Sequence, residues 1–66
     1  MPELTRRQCD IIGALATANM NIAEAARITG CQRSTVIGHI ERIENRTGLN
    51  PTNFFDLHEL YRLTGR

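Results

Sequence analysis

Between Asn21 and Ile40 the chain reads NIAEAARITGCQRSTVIGHI, a stretch that has to turn sharply at Gly30-Cys31-Gln32. Asn21, with Glu24 three residues on, is a helix-start signature, since the Asn side chain accepts from the first-turn amides. Gly30 then stops that helix, because glycine takes the left-handed C-cap conformation without steric cost. A new helix begins almost at once, near Arg33, and places Val36, Ile40 and Ile43 at i, i+4 and i+7 as a buried stripe. Two helices joined by so short a link come very close. Ala25 and Ala26 are small enough to allow it.

The flanking segments read in the same way. Leu4-Thr5 and Gln8 form a capping box with Leu4 placed to staple onto Cys9, which opens a first helix. Ile12, Leu15 and Ala16 share its inner face, with Ile11 and Cys9 at the margins. That helix fades near Asn19. Gly48 and Pro51 end the third helix, and a fourth carries Phe54, Leu57 and Tyr61 on one face with Gly65 as its stop. The expectation is an all-α fold: one compact four-helix domain over residues 1–66, with helices at about 6–18, 22–29, 33–46 and 53–63 around a central helix-turn-helix. A chain of 66 residues buries only about 60% of its unfolded surface, so such a bundle must be well packed or partnered.

Composition narrows the function. All eight basic residues are arginine, and seven acidic ones leave a net charge of +1. A nucleic-acid binder is expected to carry a basic face, so the distribution matters more than the sum. From Arg27 to Arg46, four arginines and two glutamates give +2, which leaves −1 for the rest. Cys9 and Cys31 form no C-x-x-C pair and read as reduced thiols. With His39 and His58 they have zinc-ligand chemistry but not zinc-site spacing, so no metal or other cofactor is implied. His39 falls toward the core edge as a structural histidine, and His58 on the surface. Catalysis would require a nucleophile, a base and an orienting group around a pocket, and this pattern offers none; the chain does not read as an enzyme. It starts at its own methionine without a leader or an apolar run long enough to cross a membrane, which reads as cytoplasmic. No small-molecule ligand is evident.

A short helix, tight turn and longer helix make up the helix-turn-helix unit, whose second helix enters the major groove. The ungapped stretch NIAEAARITGCQRSTVIGHIERIENRTGLNP resembles the C-terminal helix-turn-helix of PucR-type regulators over Asn21–Pro51, and more loosely the Fis-type domain. The resemblance is carried by N-x-x-E-A-A-R, by Arg33 and Thr35 ahead of Val36, and by R-I-E-x-x-T-G-L-N-P. The opening LTRRQCDII-x-x-LA is also similar to the first helix of LuxR-type domains, which share S-T-V-x-x-H-I and a dimerising fourth helix. What these resemblances imply is a small bacterial transcription regulator that binds double-stranded DNA sequence-specifically, usually as a dimer. One departure stands out: where PucR-type helices are usually basic, just after the Thr position, this chain has Ile37, Gly38 and His39.

The residues expected at DNA are Gln32, Arg33, Ser34, Thr35, Ile37, Gly38, Arg42 and Arg46. Arg33 would be the main anchor. Arg42 and Arg46 would hold phosphates, and Arg6 and Arg7 could reach the backbone as well. Ser34 and Thr35 either cap the third helix or contact DNA. Gly38 costs roughly 1 kcal/mol of helix stability against alanine; one compensation would be close approach to DNA, another close approach to a neighbouring helix. Ser34, Gly38, Glu41 and Asn45 lie opposite the core stripe; a carboxylate there repels phosphate but can accept from cytosine N4. On the fourth helix Phe55, Leu60 and Leu63 serve either a second packed side or a homodimer interface. The alternative to DNA binding is a helical protein-interaction or dimerisation adaptor that kept the fold and lost DNA, a reading favoured by Glu41, Glu44 and the low charge.

Overall fold

Each expected helix start is made by a side chain, with one exception. Thr5 Oγ1 accepts from the Gln8 amide at 3.1 Å while Gln8 Oε1 accepts from the Thr5 amide at 3.0 Å, completing the capping box of α1 (Arg6–Thr17). Asn21 Oδ1 accepts from the Glu24 amide at 3.1 Å and opens α2 (Ile22–Thr29). Asn53 Oδ1 accepts from Phe55 and Asp56 and opens α4 (Phe54–Thr64). The exception is α3 (Arg33–Thr47), whose N-cap Gln32 makes no side-chain cap bond. The computed structural model describes residues 4–64, so Gly65, the expected stop of α4, lies outside the described residues. Among the described residues the secondary structure is wholly helical.

Helix ends follow the glycines where glycines are present. Gly30 and Gly48 have φ of 72° and 75°, the left-handed C-cap geometry. The end of α1 has no glycine. There Asn19 and Met20 themselves take φ of 55° and 67°, and the Met20 amide bonds back to the Leu15 carbonyl at 2.7 Å. Left-handed backbone is costly for a methionine. That bond and the packing of the Met20 side chain against the core offset the cost.

The core lies where α1 crosses the other three helices, each of which it contacts. Ile11, Ile12 and Leu15 have no exposed surface, and Ala14 is buried with them. Ile11 therefore sits at the centre of the α1 face and not at its margin, because a helix touched from three directions buries a wide arc. Ala25, Ala26, Val36, Ile40 and Ile43 complete the core from α2 and α3, as the spacing predicts. Leu4, Cys31 and Leu49 pack against its edge.

Helix α4 differs from expectation. It meets α1 alone among the helices, so its buried seam is narrow: Leu57 and Leu60, three residues apart. Leu60 is fully buried and cannot serve a partner subunit. Phe54 is 62% exposed and Tyr61 41%, so neither belongs to the core face assigned to them from sequence. Phe55 and Leu63 are exposed, as an interface would need, at 78% and 38%. The link before α4 is tightly held. Thr47 Oγ1 accepts from the Leu49 amide, Asp56 accepts from the Asn50 amide, and Asn50 accepts from the Thr52 amide around a buried Pro51.

His39 sits partly buried on α3, and its Nδ1 is buried with no hydrogen-bond partner among the described residues. Burial, and then the charges of Arg42 and Arg7, lower its pKa below the ordinary 6.5. In the unfolded chain the ring binds its proton more readily than in the native state. Native stability is therefore complete above about pH 6.5 and declines as the pH falls through the lowered native value. The carboxylates held low by arginine, Glu24 and Glu59, give up their share only at more acidic pH. Urea denaturation should show stability falling between pH 7 and 5, and His39→Leu should flatten that interval. An unchanged slope in the variant would remove His39 as its source.

Candidate nucleic-acid interface

The turn between α2 and α3 fixes how α3 is presented. The Cys31 amide donates to the Ala26 carbonyl at 2.9 Å, closing the chain back over the end of α2. Arg7 reaches across from α1 and donates to the Thr29 carbonyl at 3.4 Å and to Cys31 Sγ at 3.5 Å. An arginine in the first turn of its own helix is poorly placed against that helix's dipole, but here it lies at the favourable, carbonyl end of α2. Arg7 is thus a tie within the fold, a role that the sequence reading, which directed it toward DNA, did not find. Its partners are 22 and 24 residues away, beyond the reach of any local pattern.

With Val36, Ile40 and Ile43 buried, the other sides of α3 face outward. Gln32, Arg33, Ser34, Thr35, Ile37, Arg42 and Arg46 are all exposed, and Gly38 is partly so. Stepping about 100° per residue from the core stripe puts Ser34, Gly38, Glu41 and Asn45 along the outward midline. Arg33 and Ile37 lie to one side of it; Thr35, Arg42 and Arg46 lie to the other. The expected site residues are therefore all exposed or partly so, but they spread over more than half of the helix circumference, with Arg33 and Arg42 on opposite flanks of the midline.

Two alternatives left open by the sequence are narrowed here. Ser34 and Thr35 stand inside the first turn, after the N-cap, and Gln32 makes no capping bond. The first-turn amides of α3 consequently have no capping side chain, and no acidic residue stands in that turn. The absence of Ser, Thr, Asp or Asn at position 32 was the available sequence signal. For Gly38, a built Cβ meets no neighbouring helix: Arg42 Nη1 at 3.9 Å is its nearest neighbour, an ordinary contact with a mobile side chain. Packing within the described fold does not require glycine there.

The charges sort in the same direction. Arg27, counted toward the basic stretch, is paired with Glu24 one turn away; their hydrogen bond raises the arginine pKa and lowers that of the carboxyl. Arg62 is likewise paired with Glu59 on α4. Arg6, Arg33 and Arg42 have no ion-pair partner among the described residues. On α3 itself three arginines face two glutamates, Glu41 and Glu44, so the helix keeps a small positive excess. No group of three or more His, Cys, Asp or Glu side chains suited to a metal ion occurs among the described residues, and Cys9, Cys31, His39 and His58 are not gathered into one. No described helix is long and apolar enough to cross a membrane.

No curated protein and no solved structure matches the chain significantly. A family model does, over residues 10–63, which takes in most of α1 and all of the turn, α3 and nearly all of α4. That match extends well beyond the Asn21–Pro51 stretch that carried the resemblance. The chain belongs to the PucR C-terminal helix-turn-helix domain family, a family of DNA-binding regulators.

Proposed function

We propose that this chain binds double-stranded DNA sequence-specifically as a small cytoplasmic bacterial transcription regulator, with α3 in the major groove. The observation that carries this reading is the outward face of α3. Among the described residues it has a first turn with no capping side chain, Arg33 and Arg42 without ion-pair partners on opposite flanks, and a glycine on the midline that no packing between helices requires. Uncapped first-turn amides and the positive end of a helix dipole suit a phosphate. In this reading Arg33 is the main anchor, Gln32, Ser34, Thr35 and Ile37 make the neighbouring contacts, and Arg42 and Arg46 attract the backbone. Gly38 lets the helix come close. The chain acts as one domain without a cofactor.

Pairing through α4 completes the proposal, since one short reading helix holds DNA weakly. A two-fold dimer would read half-sites about 34–36 Å apart. The surface for it is Phe55, set edge-on against Phe54 with ring centroids 5.4 Å apart, together with Leu63. The same exposed aromatics favour a second reading, a protein-interaction adaptor. Salt separates the two, because phosphate-driven affinity falls steeply as salt rises and apolar docking does not.

Fluorescence anisotropy with mixed-sequence duplex at low salt tests the proposal directly. Arg33→Ala should weaken binding by roughly 1–3 kcal/mol, or, if the arginine meets phosphate alone, weaken it across all sequences and lower the salt slope by about one. Binding that Arg33→Ala leaves intact would remove the proposed anchor. Gly38→Ala should separate stability from function. It adds about 1 kcal/mol to helix stability, which raises Tm by about 4–8 °C in a domain of this size, while loosening the DNA complex. Finally, Phe55→Asp should shift sedimentation equilibrium from dimer to monomer without unfolding the chain, since that side chain is 78% exposed. A wild-type chain that is monomeric at high concentration ends the dimer part of the reading.

A further inference from the structure

Arginines account for grip in the reading above, but they say little about which sequence is held. The outward midline of α3 carries another group: Glu41, exposed, one turn beyond Ile37 and close to Gly38 on the helix surface. Among the described residues it has no ion pair and no hydrogen bond from another side chain, so its carboxylate is not spent inside the fold. Ile37 is 44% exposed, and its place off the core stripe leaves it without a buried role. An apolar side chain and a free carboxylate are odd choices for a phosphate-facing surface. They make sense against base edges.

We propose, resting on the DNA-binding reading, that Ile37 and Glu41 set the base preference: Glu41 accepts a hydrogen bond from the N4 amino group of cytosine, and Ile37 packs on the methyl group of thymine. In the major groove cytosine presents its N4 donor without an acceptor, adenine an N6 donor beside the N7 acceptor, and thymine its C5 methyl. A carboxylate has acceptors only, so it favours cytosine over adenine, whose N7 opposes it, and is repelled by the acceptor edge of guanine and by phosphate. Four helical residues rise about 6 Å, so with α3 lying along the groove the two contacts fall about two base pairs apart at about 3.4 Å per pair. Gly38 adds to this by leaving no Cβ between the helix backbone and the bases: the nearest atom to a built Cβ is Arg42 Nη1 at 3.9 Å. The flanking arginines then hold the register in which Glu41 meets a base, and that division of labour explains an acidic residue in the middle of a reading face.

The test is selection of bound duplexes from a randomised library with the wild-type chain, Glu41→Gln and Ile37→Ala. The wild type should enrich sites with a C·G pair and, about two pairs away, a T·A pair. Glutamine pairs with adenine N6 and N7, so Glu41→Gln should convert the C·G preference to A·T at that one position, by roughly fivefold or more, and leave the other positions alone. Ile37→Ala should relax the thymine preference alone. If Glu41→Gln instead tightens binding to every duplex and leaves the selected sequence unchanged, Glu41 only repels phosphate and the inference is wrong. A wild type that binds duplex but enriches no C·G pair overturns the inference and leaves DNA binding standing. A wild type that captures no duplex at all takes both down.

Discussion

The structure depends on α1 being able to bury side chains in three directions at once. Ile11, Ile12 and Leu15 are wholly covered, and α2, α3 and α4 each pack on this helix. Burying a large aliphatic side chain is worth about 1.5–3 kcal/mol, and in a chain that covers so little of its surface these three positions weigh heavily against the entropy of ordering it. The arrangement also explains why the remaining helices can be short. Helix α2 has only eight residues, too few to be stable alone, and it persists because Ala25 and Ala26 seat it against the core. Helix α4 needs just Leu57 and Leu60, because it has one neighbour to satisfy.

From that hub a long-range tie reaches the turn that leads into α3. Arg7 leaves α1 and meets both the last carbonyl of α2 and the thiol of Cys31, the residue that turns the chain into α3. The turn is thereby fixed from both sides: by the left-handed Gly30 from within and by Arg7 from without. An arginine used in this way does not count toward a DNA-facing charge, nor does Arg27, which is paired with Glu24. Net charge was therefore a poor guide: it hid both the engagement of Arg7 and Arg27 within the fold and the layout of the charges on α3 itself.

What could be read from the sequence was whatever a local rule controls. The caps at Thr5 and Asn21, the stops at Gly30 and Gly48, and the Val36, Ile40 and Ile43 stripe all depend on residues within one or two turns. What could not be read depends on how many neighbours a helix has. Phe54, Leu57 and Tyr61 have faultless helical spacing, yet α4 rolls so that Leu57 and Leu60 face α1, because a single neighbour leaves room for one narrow seam. Ile11 departs from the expected margin for the opposite reason, since three neighbours widen the buried arc. Met20 in left-handed backbone and Arg7 at the turn were likewise beyond local pattern. For the candidate site, the outward face of α3 followed from its core stripe, whereas the missing cap at Gln32 and the open space around Gly38 needed the structure.

These last two features share a physical logic. Natural helices gain stability from a capping side chain and from alanine in place of glycine, by about 1 kcal/mol each. The fold applies the first rule on α1, α2 and α4, which carry side-chain caps; it forgoes the second on α1, where Gly13 has open space around it, and on α3 it forgoes both. Neither omission is repaid by packing between helices, because a Cβ at Gly38 would meet only the Arg42 side chain of the same helix and the first turn faces outward. A helix that gives up stability at its exposed N-terminus and on its exposed midline, while keeping a fully buried stripe beneath, is stabilised from behind and left unfinished in front. The proposed DNA complex would supply what is missing: phosphate oxygens for the first-turn amides, and close contact at the glycine. Affinity would then arise as much from completing the helix as from adding charge to it, which is consistent with a reading helix whose arginines only slightly outnumber its glutamates.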